Sequence, residues 1–264
     1  MCDACELAEA IAPVARFWRP PTQREVDGGI YELADALDKA EVDIAAKASG
    51  VVHDMVRALV VDTVRAVREG DAAAVARVTA PSSAHIAANI RQGMQDALDA
   101  GRKQVIDQRK ATRMAGLPPR KSRKLAKDYL TAKAEVEAQR ITDAATNAAK
   151  ARAIGQVARD AEDAATIEEA AQTAAETSLA KAAMNAARES MAVGRLFAIQ
   201  DLASEIETIV YTAILDNSVC DVCEAKDGEE YGPDEAGQAP NDECLGGLGD
   251  NECRCAEVVV FKRS

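Results

Sequence analysis

The chain has 264 residues, a net charge of −12 and a pI of about 4.8, with 3% aromatic against 48% hydrophobic residues. So negative a molecule repels nucleic acid and anionic bilayers, and any contact with them has to be local. No apolar run nears the roughly 18–20 residues that span a membrane, and abundant alanine with few large anchors favours closely packed helices over a β-rich core.

Met1-Cys2-Asp3-Ala4-Cys5 is polar and acidic where a secretory leader is basic and then apolar, so the chain is expected to be cytosolic at synthesis. In that compartment its seven cysteines point to metal or redox chemistry and away from a disulfide framework. Residues 1–28 read as an irregular lead-in, punctuated by Trp18, Pro20-Pro21 and Gly28-Gly29. Residues 29–115 read as a helical region. Ile30, Leu33, Leu37 and Ile44 mark one face of a first helix that Gly50 is expected to close. Val52, Val56, Leu59, Thr63 and Val67 mark a second, ending at Glu69-Gly70. A third is expected near Pro81, a first-turn proline, with the stripe Ile86, Ile90, Met94, Leu98 and Val105.

Gly116-Leu117-Pro118-Pro119 cannot continue a helix, which places a linker at 116–121 and a subdomain boundary there. Around it runs the one basic stretch, from Arg102 to Lys127, opposed only by Asp107. It reads either as a solvated helix end and loop or as a surface for DNA phosphates or an acidic protein. No aromatic is interleaved before Tyr129, so base stacking is not expected.

Residues 122–206 read as a long Ala-rich helical region, with interruptions expected near Gly155 and Gly194. Its bulky apolar residues are sparse: Val136, Ile141, Ile154, Val157, Ile167, Leu179, Met184 and Met191. A buried Leu or Ile contributes roughly 1.5–3 kcal/mol and Ala much less. Such helices are expected to gain stability by close contact with neighbours, in an extended shape supported by partners. The character changes at residues 207–264. Residues 206–215 are β-branched and read as a strand, Asp216-Asn217-Ser218 as a turn, and 256–261 as a closing strand antiparallel to the first. The expected fold is therefore mainly α: long Ala-rich helices followed by a small Cys-rich, zinc-stapled, two-stranded β module.

Five cysteines in that module, Cys220, Cys223, Cys244, Cys253 and Cys255, are spaced C-x2-C-x20-C-x8-C-x-C. Two chelating half-sites on either side of an acidic loop suit tetrahedral zinc. Cys220, Cys223 and Cys253 are expected as ligands, with Cys244 and Cys255 competing for the fourth place. A module this small has little core, and structural zinc supplies about 10–16 kcal/mol of apparent binding energy. The alternative is a thiol-disulfide redox protein using Cys220 and Cys223. A thioredoxin-like site requires a βαβ context with the pair opening a helix, whereas the sequence places it between a strand and a loop. From Asp216 to Glu257 the basic residues are Lys226 and Arg254 alone, among many acids, so the module is read as structural or protein-facing and not as a nucleic-acid finger. Arg254 is read as offsetting thiolate charge.

Cys2-x-x-Cys5 repeats the half-site spacing, either incidentally or as part of a site shared with another subunit. His53 and His85 read as surface residues. With no phosphate-binding loop, serine elbow or His-Glu-x-x-His, no enzymatic activity is expected.

The stretch from Asn185 through Gly194-Arg195, then Leu215-Asp216, Cys220-x-x-Cys223, Lys226-Asp227-Gly228 and Cys253-Arg254-Cys255, resembles the phage head morphogenesis domain. This is the minor head protein family of tailed bacteriophages, typified by the F protein of phage Mu. The resemblance covers roughly residues 176–262. Where the family carries a histidine three residues before Cys-Arg-Cys, this chain has Asp250, which opens the fourth ligand place to Cys244 or to Asp250 itself. The resemblance implies a structural protein of the virion, at the capsid interior or portal vertex, present in the host cytoplasm during assembly. It implies the portal protein and the major capsid or scaffolding protein as partners, a role in head assembly, and assistance to genome packaging or ejection. A phosphate contact with packaged DNA would fall to the basic stretch Arg102 to Lys127. A zinc-containing helical adaptor unrelated to virions is the other reading that composition permits.

Overall fold

The structure, a computed structural model, describes residues 30–78, 84–111, 122–159, 164–213, 220–239 and 255–262. The lead-in with Cys2 and Cys5, Pro81, the linker at 116–121, the turn at Asp216-Asn217-Ser218, and Cys244, Asp250, Cys253 and Arg254 lie outside these residues.

Among the described residues five helices come first: α1 (Ile30–Arg68), α2 (Ala72–Arg77), α3 (Ala84–Ala111), α4 (Arg123–Val157) and α5 (Ala164–Leu202). A strand β1 (Ile206–Thr212), a short helix α6 (Asp221–Lys226), and strands β2 (Glu230–Tyr231) and β3 (Ala256–Phe261) follow. The protein is mainly helical with a small antiparallel sheet at its C-terminal end. The described residues divide into two compact units assembled from separated pieces: one within Glu32–Lys103 and Pro118–Asp201, the other within Gln104–Leu117 and Leu202–Ser264.

In the helical unit, α1 runs unbroken through Gly50, where the sequence reading ended a helix. Glycine in a helix interior costs about 1 kcal/mol but does not stop it; the burial of Ala48 and Val52 on either side outweighs that cost. The true end is at Gly70. Its φ of 70°, with Gly70 N–H on Val67 O and Asp71 N–H on Ala66 O, forms a Schellman motif. Asp71 then caps the short α2 by accepting from Ala74 N–H at 2.8 Å. On α3 the stripe Ile86, Ile90, Met94, Leu98 and Val105 is wholly buried.

Paired contacts fix how the helices run. Arg57–Glu168 and Glu41–Arg188 set α1 antiparallel to α5; Arg91–Thr131 and Arg102–Ser122 set α3 antiparallel to α4. Lys133–Glu189 and the edge-on Tyr129–Phe197 ring pair do the same for α4 and α5. Alanine makes the core of the last two helices. Ala134, Ala138, Ala145, Ala149 and Ala153 on α4 and Ala171, Ala175, Ala183 and Ala187 on α5 are buried, while Val136 is 51% exposed. Small side chains let backbones approach, and dispersion between close helices replaces the burial of large groups.

Gly194 interrupts nothing: α5 continues through it to Leu202. A Cβ on Gly194 would lie 2.0 Å from Leu98 O, and one on Gly101 would lie 2.1 Å from Met191 O. The two glycines mark the place where the α3 and α5 backbones touch.

The sheet has the order β2-β1-β3, with all pairs antiparallel. The sequence reading of two strands becomes three among the described residues, β2 being a two-residue strand inside the expected loop. In β1 and β3, Ile209 faces Val259 and Tyr211 faces Glu257, with a bulge between Ile206 and Thr208. On the outer side of β3, Val259 N–H donates to Gln108 Oε1 at 3.0 Å, so the edge is covered rather than left to pair. Arg109, buried beside it, holds Glu205 through Nε at 2.7 Å.

Candidate metal centre

Tyr211, on the central strand, stands in the middle of the cysteine region. With Ala213, Cys223 and Ala239 it forms a buried cluster, against which Cys220, Tyr231 and Cys255 pack. Three cysteines from the two sides of the acidic loop thus belong to, or pack against, one buried cluster.

The local order follows from the residues. Cys220 is the N-cap of α6, and its carbonyl accepts from Glu224 N–H at 2.9 Å. Asp221 and Glu224 sit in the first turn and Lys226 in the last, each at the end its charge favours. Lys226-Asp227-Gly228 then folds back as a clasp. Asp227 Oδ1 accepts from Ala213 N–H at 2.9 Å, and Gly228, at φ 85°, donates to Tyr211 O at 2.9 Å. Tyr211 N–H in turn donates to Glu229 O at 2.8 Å. A left-handed residue directly after the aspartate turns the chain back along β1, and glycine adopts that conformation without strain.

The Cys220–Cys223 pair therefore opens a short helix. The sequence reading set it between a strand and a loop, and that premise against redox chemistry is corrected: Asp221, Glu224 and Lys226 make one helical turn that has too little apolar periodicity to be legible. Cys223 is buried, Cys220 and Cys255 are half-buried, and the Tyr211 hydroxyl donates to Cys223 Sγ across 3.5 Å.

Glu257 was read only as an acid of the closing strand. It is 2% exposed, and its Oε1 accepts from Tyr231 O–H at 2.7 Å, Gly237 N–H at 2.7 Å and Gln238 N–H at 2.9 Å. One carboxylate thus fastens the segment after β2 to β3. A lone acid in an otherwise apolar strand is the only mark the sequence offers.

No family model, curated protein or solved structure matches this chain. The residues themselves must then speak for the site. Their chemistry suits zinc, which favours thiolates from two half-sites on a small module. Among the described residues no group of three or more His, Cys, Asp or Glu stands close enough to hold an ion. Of the expected ligands, Cys244 and Cys253 lie outside the described residues.

Two arginines of the basic stretch are turned inward. Arg102 Nη2 lies 2.5 Å from Asp201 Oδ2, which with Oδ1 also receives Ser122 O–H and N–H at the start of α4. Arg109 pairs with Glu205. The sequence showed Asp107 as the sole opposing acid; the fold adds two from positions 99 and 96 residues away in the chain. Lys124 and Lys127 are exposed. His53 is exposed on α1, and among the described residues no helix is long and apolar enough to cross a membrane.

Proposed function

We propose that this chain is a structural minor head protein of the phage head morphogenesis kind, which docks on the portal or inner capsid wall during head assembly. One observation carries the reading. Three separated pieces of the family resemblance, Cys220-x-x-Cys223, Lys226-Asp227-Gly228 and the strand after Cys255, fold into one module around Tyr211. Zinc bound by Cys220, Cys223 and Cys253, with Cys244 or Cys255, would supply binding energy that serves as folding energy for that module. Any phosphate contact with packaged DNA belongs to exposed lysines such as Lys124 and Lys127, since Arg102 and Arg109 are engaged by carboxylates.

Metal analysis of purified protein together with a pull-down against the portal protein tests this. The expected results are about one zinc per chain, portal capture, and loss of the C-terminal sheet with helix content largely intact in both Cys220→Ser and Cys253→Ser. Normal sheet formation in both variants sinks the zinc reading; absence of portal capture sinks the head-assembly reading.

The position of Cys220 and Cys223 at the opening of α6 favours a second reading, a thiol-disulfide redox protein. It requires turnover of a disulfide substrate by metal-free protein, which the same preparation can be assayed for.

A further inference from the structure

Asp234, Glu235, Gly237 and Gln238 are exposed, yet the next residue, Ala239, is buried in one cluster with Tyr211, Ala213 and Cys223. Tyr231, at the near end of the same segment, packs against that cluster too. Both ends of the segment therefore help to bury Cys223, which is 1% exposed. One oxygen holds both ends down. Glu257 Oε1 accepts from the Tyr231 hydroxyl and from the successive N–H groups of Gly237 and Gln238. Gly237, at φ 105°, has the left-handed backbone that glycine adopts without strain. Within the segment the bonds are local: Glu235 N–H donates to Gly232 O at 3.0 Å, and Gln238 Nε2 to Glu235 O at 3.2 Å. They shape the segment without tying it to the sheet. None of residues 232–239 takes part in the β1–β3 ladder. A buried carboxylate that loses its donors is costly, so three bonds sharing one oxygen favour a segment wholly closed or wholly released.

We propose that residues 232–239 are a strap, latched by Glu257, whose release lets small thiol-reactive molecules reach Cys223 while β1 and β3 stay paired. Such local opening draws on the bonds of one surface segment and not on the stability of the whole unit. It does not depend on the zinc reading above.

The test alkylates the full chain with iodoacetamide and reads the rate at Cys223 against that at Cys220 by peptide mass spectrometry. Both cysteines belong to one expected half-site, so shielding by a metal falls on both and drops out of the ratio. Cys223 should react more slowly than the half-buried Cys220 in the native chain. Glu257→Gln should raise the Cys223 to Cys220 ratio by about 10–100-fold, the span for lost hydrogen bonds to a charged group. Tyr231→Phe removes one bond and no charge, and should raise it by about 5–10-fold. A rise in that variant cannot come from an altered field at the thiol. Amide hydrogen exchange supplies the second readout: Gly237 and Gln238 should exchange faster in both variants, while Ile209 and Val259 keep their protection. An unchanged ratio in either variant, or a native Cys223 as reactive as Cys220, overturns the proposal. So does loss of protection at Ile209 and Val259 along with the strap, because strap and sheet would then open as one. Metal content of the native chain bears on the zinc reading alone.

Discussion

Adding one methyl group at Gly194 and at Gly155 should have effects of opposite sign. At Gly194 the new Cβ would stand 2.0 Å from Leu98 O and 2.7 Å from Leu98 C. A carbon needs about 3.3 Å from a carbonyl oxygen, so α3 and α5 would have to part by about 1.3 Å. The obstacle is backbone and cannot rotate away. Overpacking of this kind costs about 3–4 kcal/mol at its upper range, against which alanine returns roughly 1 kcal/mol of helix propensity. The expected result for Gly194→Ala is a net loss of about 2–3 kcal/mol. A Cβ on Gly155, in the last turn of α4, meets nothing within 4 Å, and Gly155→Ala should gain about 0.5 kcal/mol. Gly101→Ala strikes Met191 O from the other side of the same crossing, so the Gly101/Gly194 double variant should lose less than the sum of the two. Urea unfolding followed by far-ultraviolet circular dichroism measures all four. Equal stability of Gly194→Ala and the native chain, or full additivity with Gly101→Ala, would refute a backbone contact between these helices.

Two further expectations concern charged and titrating groups. Arg109→Met leaves Glu205 without its buried partner and should destabilise the C-terminal unit by about 3 kcal/mol. The double variant Arg109→Met/Glu205→Gln should recover part of that in the same denaturation assay, and no recovery would argue against the pairing. Burial, and next the charge of Glu189, push the Tyr129 phenol above its ordinary value of 10.0. Because the folded state then holds its proton longer than the unfolded chain, stability should be intact below about pH 10 and fall above it. Tyr129→Phe should flatten that alkaline loss in a pH series of melting temperatures; an unchanged slope would show that the phenol is not the group responsible.

The long helices were legible in the sequence because a repeating apolar stripe, such as Ile86 to Leu98, survives whatever the neighbours do. The closing strand was legible for a related reason: a β-branched run is a local signal. Glycine was not readable in this way. Gly50 and Gly194 look alike on paper as helix stops, yet both sit inside helices, and only the approach of the α3 backbone gives Gly194 its purpose. The same holds for charge. Arg102 and Arg109 belong to a basic stretch in sequence, but Asp201 and Glu205 are brought onto them by helix packing, over a chain separation no local pattern records. Composition and periodicity decide which segments become helix or strand; partners for a backbone, a buried acid such as Glu257 or a sulfur such as Cys223 exist only once the chain has closed on itself.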